Sequence, residues 1–322
     1  MSLPPVEIPL GAMRFNSDSQ KLEYFNGDIW MQVHTETASP IGGRGLFAGS
    51  GNVVNYVTIS TTGDAIDFGD LTNVSDYPAA AGSRTRAIYA GGRDPSNHNI
   101  ISYAEIATIS NFLDFGDLTS AKREMSGCGS NIRAIFAGET LGGSTDIEYI
   151  TISSTGNAID YGDLLENNDG MAGFSSPTRA VWAGGEGASP YPALNRIQYT
   201  TIASTGNTID FGDMTSARWS VSGCSSPTRG LISGVTDAGA IDMVTIATTG
   251  NAVDFGDYAK GTKSGMSLSS STRALWAYGA SGTTSTIQYV TIATRGDGTD
   301  FGNSTTEVYR AAGCSNVHGG LG

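Results

Sequence analysis

A phrase that recurs six times limits what this chain can fold into more than any other feature. One clear copy, Thr178 to Asp213, reads TRAVWAGG, then a loop, then IQYTTIASTGNTIDFGD. Aligned on the arginine that opens the phrase, successive copies start 42, 47, 46, 50 and 44 residues apart. Periods of that length predict a repeat architecture in which each unit buries its apolar faces against its neighbours. The six arginines are Arg44, Arg86, Arg133, Arg179, Arg229 and Arg273.

Composition and charge narrow the fold class and the function. The 44 glycines and 15% charged residues predict an all-β chain rich in tight turns, and no helical periodicity is present. A net charge of -13, with 18 scattered Lys and Arg, argues against nucleic-acid binding. Residues 1–12 show neither a basic signal-peptide start nor a long apolar run, so we expect neither membrane insertion nor export by the usual route.

Each repeat contains four strand-like phrases, which we call a to d. Phrase b is the RAVWAGG type, phrase c carries a tyrosine column, phrase d is the IDFGD type, and phrase a is the SGC type. One column of phrase a holds only small residues, which suits innermost strands packed around a common axis. The pattern therefore predicts a β-propeller of four-stranded blades. The small column comprises Ala80, Gly127, Gly173, Gly223, Ser267 and Gly313.

The order of the phrases predicts the blade number and the closure. Phrases b, c and d each occur six times from Arg44 onward, whereas the sixth phrase a stands at the far end, in EVYRAAGCSNV. The C-terminal strand should therefore enter the first blade as its inner strand and remove an unpaired edge. Between phrases c and d a glycine favours a short turn. Ser110 replaces it in the second copy, which predicts a distorted turn there.

Residues 1–39 differ from the repeats in residues 40–322 and form the first of two expected domains. GAMRFNSDSQKLEYFNGDIWMQV reads as short strands, and Asn26-Gly27 predicts a tight primed hairpin turn with positive φ at both central residues. Such a small β-hairpin module is marginal alone. We expect it to attach the protein to a partner through Phe15, Tyr24 and Trp30.

These phrases resemble known protein families. The inner strand, the strand ending in Gly-Gly and the tyrosine-bearing strand resemble kelch repeats over about residues 43–319. The phrases TRAIYAGG, ITISSTGNAIDYGDL and GCSSPTR are similar to propeller-like repeats of marine bacteriophage virion proteins. The N-terminal module resembles elements of phage tail and fibre proteins. The resemblance implies a kelch-like six-bladed β-propeller in a virion structural protein of the tail, fibre or head surface.

No recognisable motif predicts an enzyme, a metal site or a cofactor. The chain has no nucleophile elbow, no phosphate-binding loop and no zinc spacing. Cys128, Cys224 and Cys314 share one repeat column and are predicted to be small buried residues without a redox role. We therefore predict no catalytic residues.

Two charged columns predict a structural clasp. The phrase-b arginines match the carboxylates of phrase d, because a guanidinium can donate two parallel hydrogen bonds to a carboxylate. Repetition in every copy favours a structural role over a catalytic one. The carboxylates are Asp67, Asp114, Asp160, Asp210, Asp254 and Asp300.

The two rims of the expected propeller differ in sequence. Turns a to b and c to d are nearly uniform, whereas loops b to c and d to a vary, and irregular loops on a rigid scaffold commonly carry recognition. We expect the variable rim to bind host-surface glycan, host protein or another virion protein; tolerated variation is the alternative. An intracellular kelch-type interaction module and a propeller enzyme acting at the axial channel also stay open, as does homo-oligomerisation. The candidate contacts are Arg93, His98, Tyr191, Asn195, Arg196 and Tyr278.

Overall fold

The computed structural model describes residues 8–16, 21–32, 42–48, 51–139, 144–234, 239–258, 265–277, 285–306, 308 and 311–321. Within these residues the fold is all-β, with one 3-10 helix at Gly319–Leu321. Contacts between Cα atoms divide the chain into two units, Met1–Ile41 and Gly42–Gly322. The candidate Tyr278 lies outside the described residues.

The first unit is a three-stranded antiparallel sheet. Strands β1 (Met13–Asn16), β2 (Lys21–Phe25) and β3 (Trp30–Gln32) pair in chain order. The turn after β2 spans residues 26–29, and only Gly27 within it has a positive φ, of 102°. The predicted primed turn with two such residues was wrong. Instead, the Asn26 side-chain oxygen accepts hydrogen bonds from the backbone N–H groups of Asp28 and Ile29, and these bonds stabilise the turn.

The second unit consists of six antiparallel sheets, numbered here from the first along the chain. Sheet 1 contains β4 (Arg44–Ala48), β5 (Val53–Thr58), β6 (Ile66–Asp70) and β28 (Ala312–Ser315). Sheet 2 contains β7 (Ala79–Gly82), β8 (Arg86–Ala90), β9 (Ile100–Glu105) and β10 (Leu113–Asp117). Sheet 3 contains β11 (Ser126–Gly129), β12 (Arg133–Ala137), β13 (Ser144–Thr151), β14 (Ile159–Asp169) and the short β17 (Glu186–Gly187).

The remaining sheets repeat the four-stranded pattern. Sheet 4 contains β15 (Ala172–Ser175), β16 (Arg179–Ala183), β18 (Leu194–Thr201) and β19 (Ile209–Arg218). Sheet 5 contains β20 (Ser222–Ser225), β21 (Arg229–Ser233), β22 (Ala240–Thr245) and β23 (Val253–Asp257). Sheet 6 contains β24 (Met266–Ser269), β25 (Arg273–Ala277), β26 (Thr286–Thr291) and β27 (Thr299–Asn303).

The last strand of the chain completes sheet 1. Strand β28 pairs with β4 in the register Gly313↔Phe47 and Cys314↔Leu46. The first strands contact one another in the order β7, β11, β15, β20, β24, β28 and again β7. They approach so closely that a Cβ on Gly127 would lie 2.3 Å from the carbonyl oxygen of Ala80. The small-residue column is therefore explained by the contact between neighbouring first strands.

Apolar residues fill the spaces between adjacent sheets. In each second strand the four residues after the arginine are buried, as the continuous apolar phrase predicts. Tyrosines of the third strand pack edge-on against the aromatic residue of the fourth, as in Tyr199 and Phe211, whose ring centroids lie 5.7 Å apart. The three cysteines are unpaired and buried, as predicted. Burial raises the pKa of the Cys314 thiol to about 12.

The turn between the third and fourth strands joins each sheet to the preceding one. In sheet 4, Gly206 N–H donates to Tyr161 O at 2.7 Å and Thr208 N–H donates to Asp163 O at 2.8 Å. A Cβ on Gly162, the glycine of the IDYGD phrase, would lie 2.5 Å from the Gly206 carbonyl oxygen. The glycine in this phrase is therefore required by the approach of the next turn.

The turn of the second copy keeps the contacts of the others except for one backbone hydrogen bond, so the predicted distortion is limited to that contact. Ser110 is not among the residues with positive φ, whereas the equivalent Gly63 and Gly156 have φ values of 153° and 154°. Of the two backbone hydrogen bonds to the preceding sheet, only the one from Phe112 N–H to Asp70 O forms here, at 2.8 Å. The substitution of serine for glycine thus costs this turn one contact.

Candidate functional site

The repeated arginines bind carbonyl oxygens of the next sheet, so the predicted Arg–Asp clasp was wrong. Arg179 Nη1 donates to Ile246 O of sheet 5 at 2.8 Å, and its guanidinium carbon lies 4.5 Å from the Tyr199 ring centroid. No ion pair joins the arginine and aspartate columns in the described part of the chain. The other five arginines donate in the same way, to carbonyls of Ile106, Ala107, Ile152, Ile202, Ile292, Ala293 and Ile59.

The aspartates fail as partners because they lie on the exposed side of the fourth strands. All six are exposed, so water already solvates their charge. An arginine that stacks on a tyrosine and donates to a carbonyl of the adjacent sheet stabilises the fold more than one paired with an exposed aspartate. One aspartate of the column, Asp67, accepts the N–H of Gly69 at 3.1 Å. The arginines therefore join neighbouring sheets, from sheet 1 round to Arg273, which donates to Ile59 O of sheet 1 at 3.1 Å.

The candidate contact residues fall into two separate loops. Arg93 and His98 lie between β8 and β9 of sheet 2, where Arg93 exchanges two backbone hydrogen bonds with Asp76, both 2.9 Å long. The His98 Nε2 lies 2.8 Å from Asn73 Nδ2. Burial lowers the pKa of His98, against a smaller opposite effect of Asp94. His98 is thus part of the loop's own hydrogen bonding.

The second loop lies between β16 and β18 of sheet 4. Tyr191 is 49% exposed, and Asn195 is also exposed. Arg196 is half-buried, and its Nε donates to Glu166 Oε1 at 2.7 Å. Sheet 3 stands between the two loops, so the structure does not bring the five described candidates into one site.

A central cavity lies where the first strands meet; the sequence suggested an axial channel but not the residues that line it. It has a volume of about 340 Å³ and is bounded by the first strands of all six sheets and by the segments that precede them. At the opposite ends of these strands, the residues after β28 close the channel. His318 Nε2–H donates to Gly82 O at 2.8 Å, and Leu321 O accepts Arg84 Nη2 at 3.1 Å. Among the described residues, this end of the channel is therefore covered, and the cavity opens toward the irregular loops.

Three carboxylates line this cavity. Asp169 ends β14, Glu186 lies opposite it on β17, and Glu124 precedes β11. Asp169 is only 7% exposed, and in the described chain its carboxylate has neither a hydrogen bond nor an ion pair. Burial, with the charges of Glu124 and Glu186, raises the pKa of Asp169 to about 7, while Arg123 opposes the rise. The cavity thus contains a buried acid that titrates near neutral pH.

A repeated backbone conformation places these residues at the cavity. Tyr77, Glu124, Gly170 and Ser220 occupy equivalent positions before the first strands and have φ values of 57°, 58°, 57° and 54°. Such a conformation is uncommon for residues other than glycine. The four residues share no side-chain type, so the sequence carried no signal for this conformation. The preceding column contains Asp169 and Trp219. Both of these residues line the cavity.

Two buried ion pairs elsewhere are structural. Lys122 Nζ lies 3.0 Å from Glu148 Oε1, and Arg218 Nη2 lies 2.7 Å from Asp242 Oδ1. Each joins the segment after one sheet's fourth strand to the third strand of the next sheet. Burial acts to lower the pKa of Lys122, but Glu148 and Asp146 outweigh it and raise that pKa. The side chains of both pairs are at most 3% exposed.

Comparisons with known proteins return neither a family nor a relative: no protein-family model and no curated protein matches the chain. In the part that the structure describes, no group of three His, Cys, Asp or Glu residues could hold a metal ion. Over the same residues, no helix has the length and apolar character that a bilayer crossing demands.

Proposed function

We propose that the six sheets are the blades of a kelch-like six-bladed β-propeller closed by its C-terminal strand. Three features support this proposal. The first strands touch in cyclic order, the arginine contacts pass from each sheet to the next, and β28 completes sheet 1. Removal of residues 311–322 should abolish cooperative unfolding, because sheet 1 would lose its first strand. A truncated chain that melts like the intact one would contradict the proposed closure.

We further propose that the protein is a non-enzymatic component of a virion surface that binds a partner through its irregular loops. The observation that carries this is the asymmetry between the two ends of the sheets. One end has nearly uniform turns and is covered by residues 316–321, whereas the other presents the loops at 91–99 and 184–196 around an open cavity. Host glycan, host protein or another virion protein would occupy that end. The proposal that the chain belongs to a virion rests on the resemblance of its repeat phrases to those of phage virion proteins.

The first unit supplies a surface for attachment to another virion protein. Five apolar side chains project from one face of its sheet and are 39% to 65% exposed: Met13, Phe15, Leu22, Tyr24 and Met31. Trp30 projects from the opposite face, where it stacks on Arg14 at 4.2 Å and lies 5.5 Å from the Phe25 ring. Among the predicted attachment residues, Phe15 and Tyr24 therefore share the apolar face and Trp30 supports it from behind. Exposed apolar patches of this kind mark interaction sites.

The test uses particles of the virus that encodes this sequence. Purified particles should contain the chain at a fixed copy number by quantitative mass spectrometry. Serine at both Phe15 and Tyr24 should abolish incorporation, because the apolar face would be lost. Serine at the exposed Ile66 and Leu113 of the second unit is the matched control. Normal incorporation of the Phe15/Tyr24 variant would refute attachment through this face. Particles without the chain would favour an intracellular interaction module.

An enzyme that acts at the central cavity is the second candidate, favoured by one observation. Asp169 is a buried carboxyl whose pKa of about 7 suits a general acid or base. Glu124 and Glu186 line the same cavity. Hydrolysis of glycosides by the intact protein, lost in Asp169→Asn and retained in Asp160→Asn, would support this candidate over a purely binding role.

A further inference from the structure

We propose that the central cavity binds a small organic cation through an alkylammonium group held by Asp169, with Glu124 and Glu186 completing the acidic wall. The cavity is a separate site from the loop surface on which a partner would bind, although Glu186 belongs to one of those loops. It lies where six first strands meet, so its wall is made of packed strand ends. A rigid, enclosed wall limits the entropy that is lost when a ligand binds.

The state of Asp169 is the main argument for a ligand. Asp169 is 93% buried as a residue, and its carboxylate oxygens open into the cavity. A carboxylate with so little access to water normally has a hydrogen bond or a counter-ion. Asp169 has neither, and the nearby Arg123 already faces Glu124, with 3.7 Å between Nε and Oε1. A bound cation would supply the partner that the protein lacks.

The chemistry of the wall selects an ammonium over other ligands. Carboxylates repel anions, and the described residues offer no cluster compact enough for a metal ion. An ammonium has three N–H donors that can reach carboxylates on different sheets. Trp219 and Tyr77 line the same cavity and present aromatic surface, which also favours a cation. The volume of about 340 Å³ lies at the small end of the range for ligand pockets.

Binding should be linked to a proton. The charged groups that face Asp169 are Glu124 and Glu186, which raise its pKa, and Arg123, which lowers it; with burial the result is about 7. A cation prefers the ionised form, so it competes with the proton. The affinity for an amine that stays protonated should rise about tenfold from pH 6 to pH 8, as the ionised fraction of such an acid does.

Calorimetric titration of the full chain with cadaverine tests the proposal. Cadaverine should bind at pH 8, whereas 1,5-pentanediol, its neutral counterpart, should not. Asp169→Asn should weaken cadaverine binding at least about tenfold and remove its dependence on pH. Glu186→Gln should weaken it severalfold and shift that dependence to lower pH, because the charge of Glu186 raises the pKa of Asp169. Asp160→Asn, an exposed carboxylate at the other end of β14, should behave as wild type.

Several results would overturn the proposal. Equal binding of cadaverine and the diol, or no binding of either at pH 8, would show that the cavity does not select an ammonium. Unchanged affinity in a folded Asp169→Asn protein would remove Asp169 from the site. Binding of calcium that depends on Asp169, without binding of cadaverine, would make the cavity a metal site instead.

Discussion

Replacement of Asp169 by asparagine should stabilise the protein above pH 7 and have almost no effect at pH 4. The side chain keeps its size, and protonated aspartic acid and asparagine are both neutral. In the unfolded chain the carboxyl ionises with its ordinary pKa of 3.8, whereas in the folded protein it ionises at about 7. Between these two values the folded state binds more protons than the unfolded state. Wild-type stability therefore falls as the pH rises through this window.

The magnitude follows from the two pKa values. A separation from 3.8 to about 7 corresponds to about 4 kcal/mol, at about 1.4 kcal/mol for each pH unit. The wild type carries the full cost only above pH 7, and Asp169→Asn removes it. For the second unit, Gly42–Gly322, with an unfolding entropy of about 2 cal/mol/K per residue, the variant should melt about 7 °C higher at pH 8.

Thermal unfolding by calorimetry at pH 4, 5, 6, 7 and 8 provides the assay, without any added amine. Other carboxylates also titrate over this range, but they are common to both proteins and cancel in the difference. Asp160→Asn should follow the wild-type curve at every pH, since that side chain is exposed. A melting difference between Asp169→Asn and wild type that is constant from pH 5 to pH 8 would refute the argument. A variant less stable than wild type at pH 8 would also refute it.

Three further predictions concern contacts between sheets, each measured by calorimetric unfolding. Arg179→Ala should cost about 2 to 3 kcal/mol by leaving a carbonyl unpaired and a tyrosine face uncovered; a cost near zero would refute the inter-sheet contact. Gly162→Ala should destabilise by at least about 1 kcal/mol more than Gly206→Ala, because both have positive φ but only the first would clash; equal costs would refute the close approach. Asp242→Asn should cost about 3 to 5 kcal/mol by leaving Arg218 buried and uncompensated; a change below 1 kcal/mol would show that the pair is solvated.

The strand pattern could be predicted because it repeats. Alternating phrases and turn glycines specify four strands in each copy, and the misplaced sixth SGC phrase indicates the pairing of β28 with β4. The small size of the residues in one column predicted the close contact of the first strands, and the apolar repeat column predicted that the cysteines are buried. Ser110 in place of a glycine costs its turn one backbone hydrogen bond and leaves the other contacts in place, a smaller change than the predicted distortion.

The predicted Arg–Asp clasp was wrong because the periodicity of a sequence does not show which side chains meet in the folded chain. The two columns of opposite charge recur at a regular spacing in every copy. Spacing does not show which face of a sheet is exposed to solvent. The fourth strand turns Asp210 toward solvent, whereas Arg179 reaches across to the next sheet. A carbonyl oxygen is present at every residue and leaves no mark in the sequence. The partner that the arginines use was therefore invisible in the amino-acid order.

The cavity acid was missed because its chemistry comes from burial. Asp169 lies in the segment between repeats, where the copies differ in length and composition. Its pKa depends on the two-residue strand β17, which places Glu186 opposite it. That strand belongs to a loop whose fold no local pattern specifies. The alignment of the positive-φ residues across the sheets, which places Asp169 at the centre, requires the structure.

The central channel is covered at one end and opens between the variable loops at the other, so the loops lie on the route by which a ligand reaches the cavity. Residues 316–321 close one end, so exchange of a ligand must occur between the loops at the other. Glu186 belongs to the same loop as Tyr191 and Arg196, and it also lines the cavity. A partner bound on that loop would therefore restrict exchange of a cavity ligand. Any resulting change in affinity must be reciprocal, because binding free energies at linked sites are coupled equally in both directions.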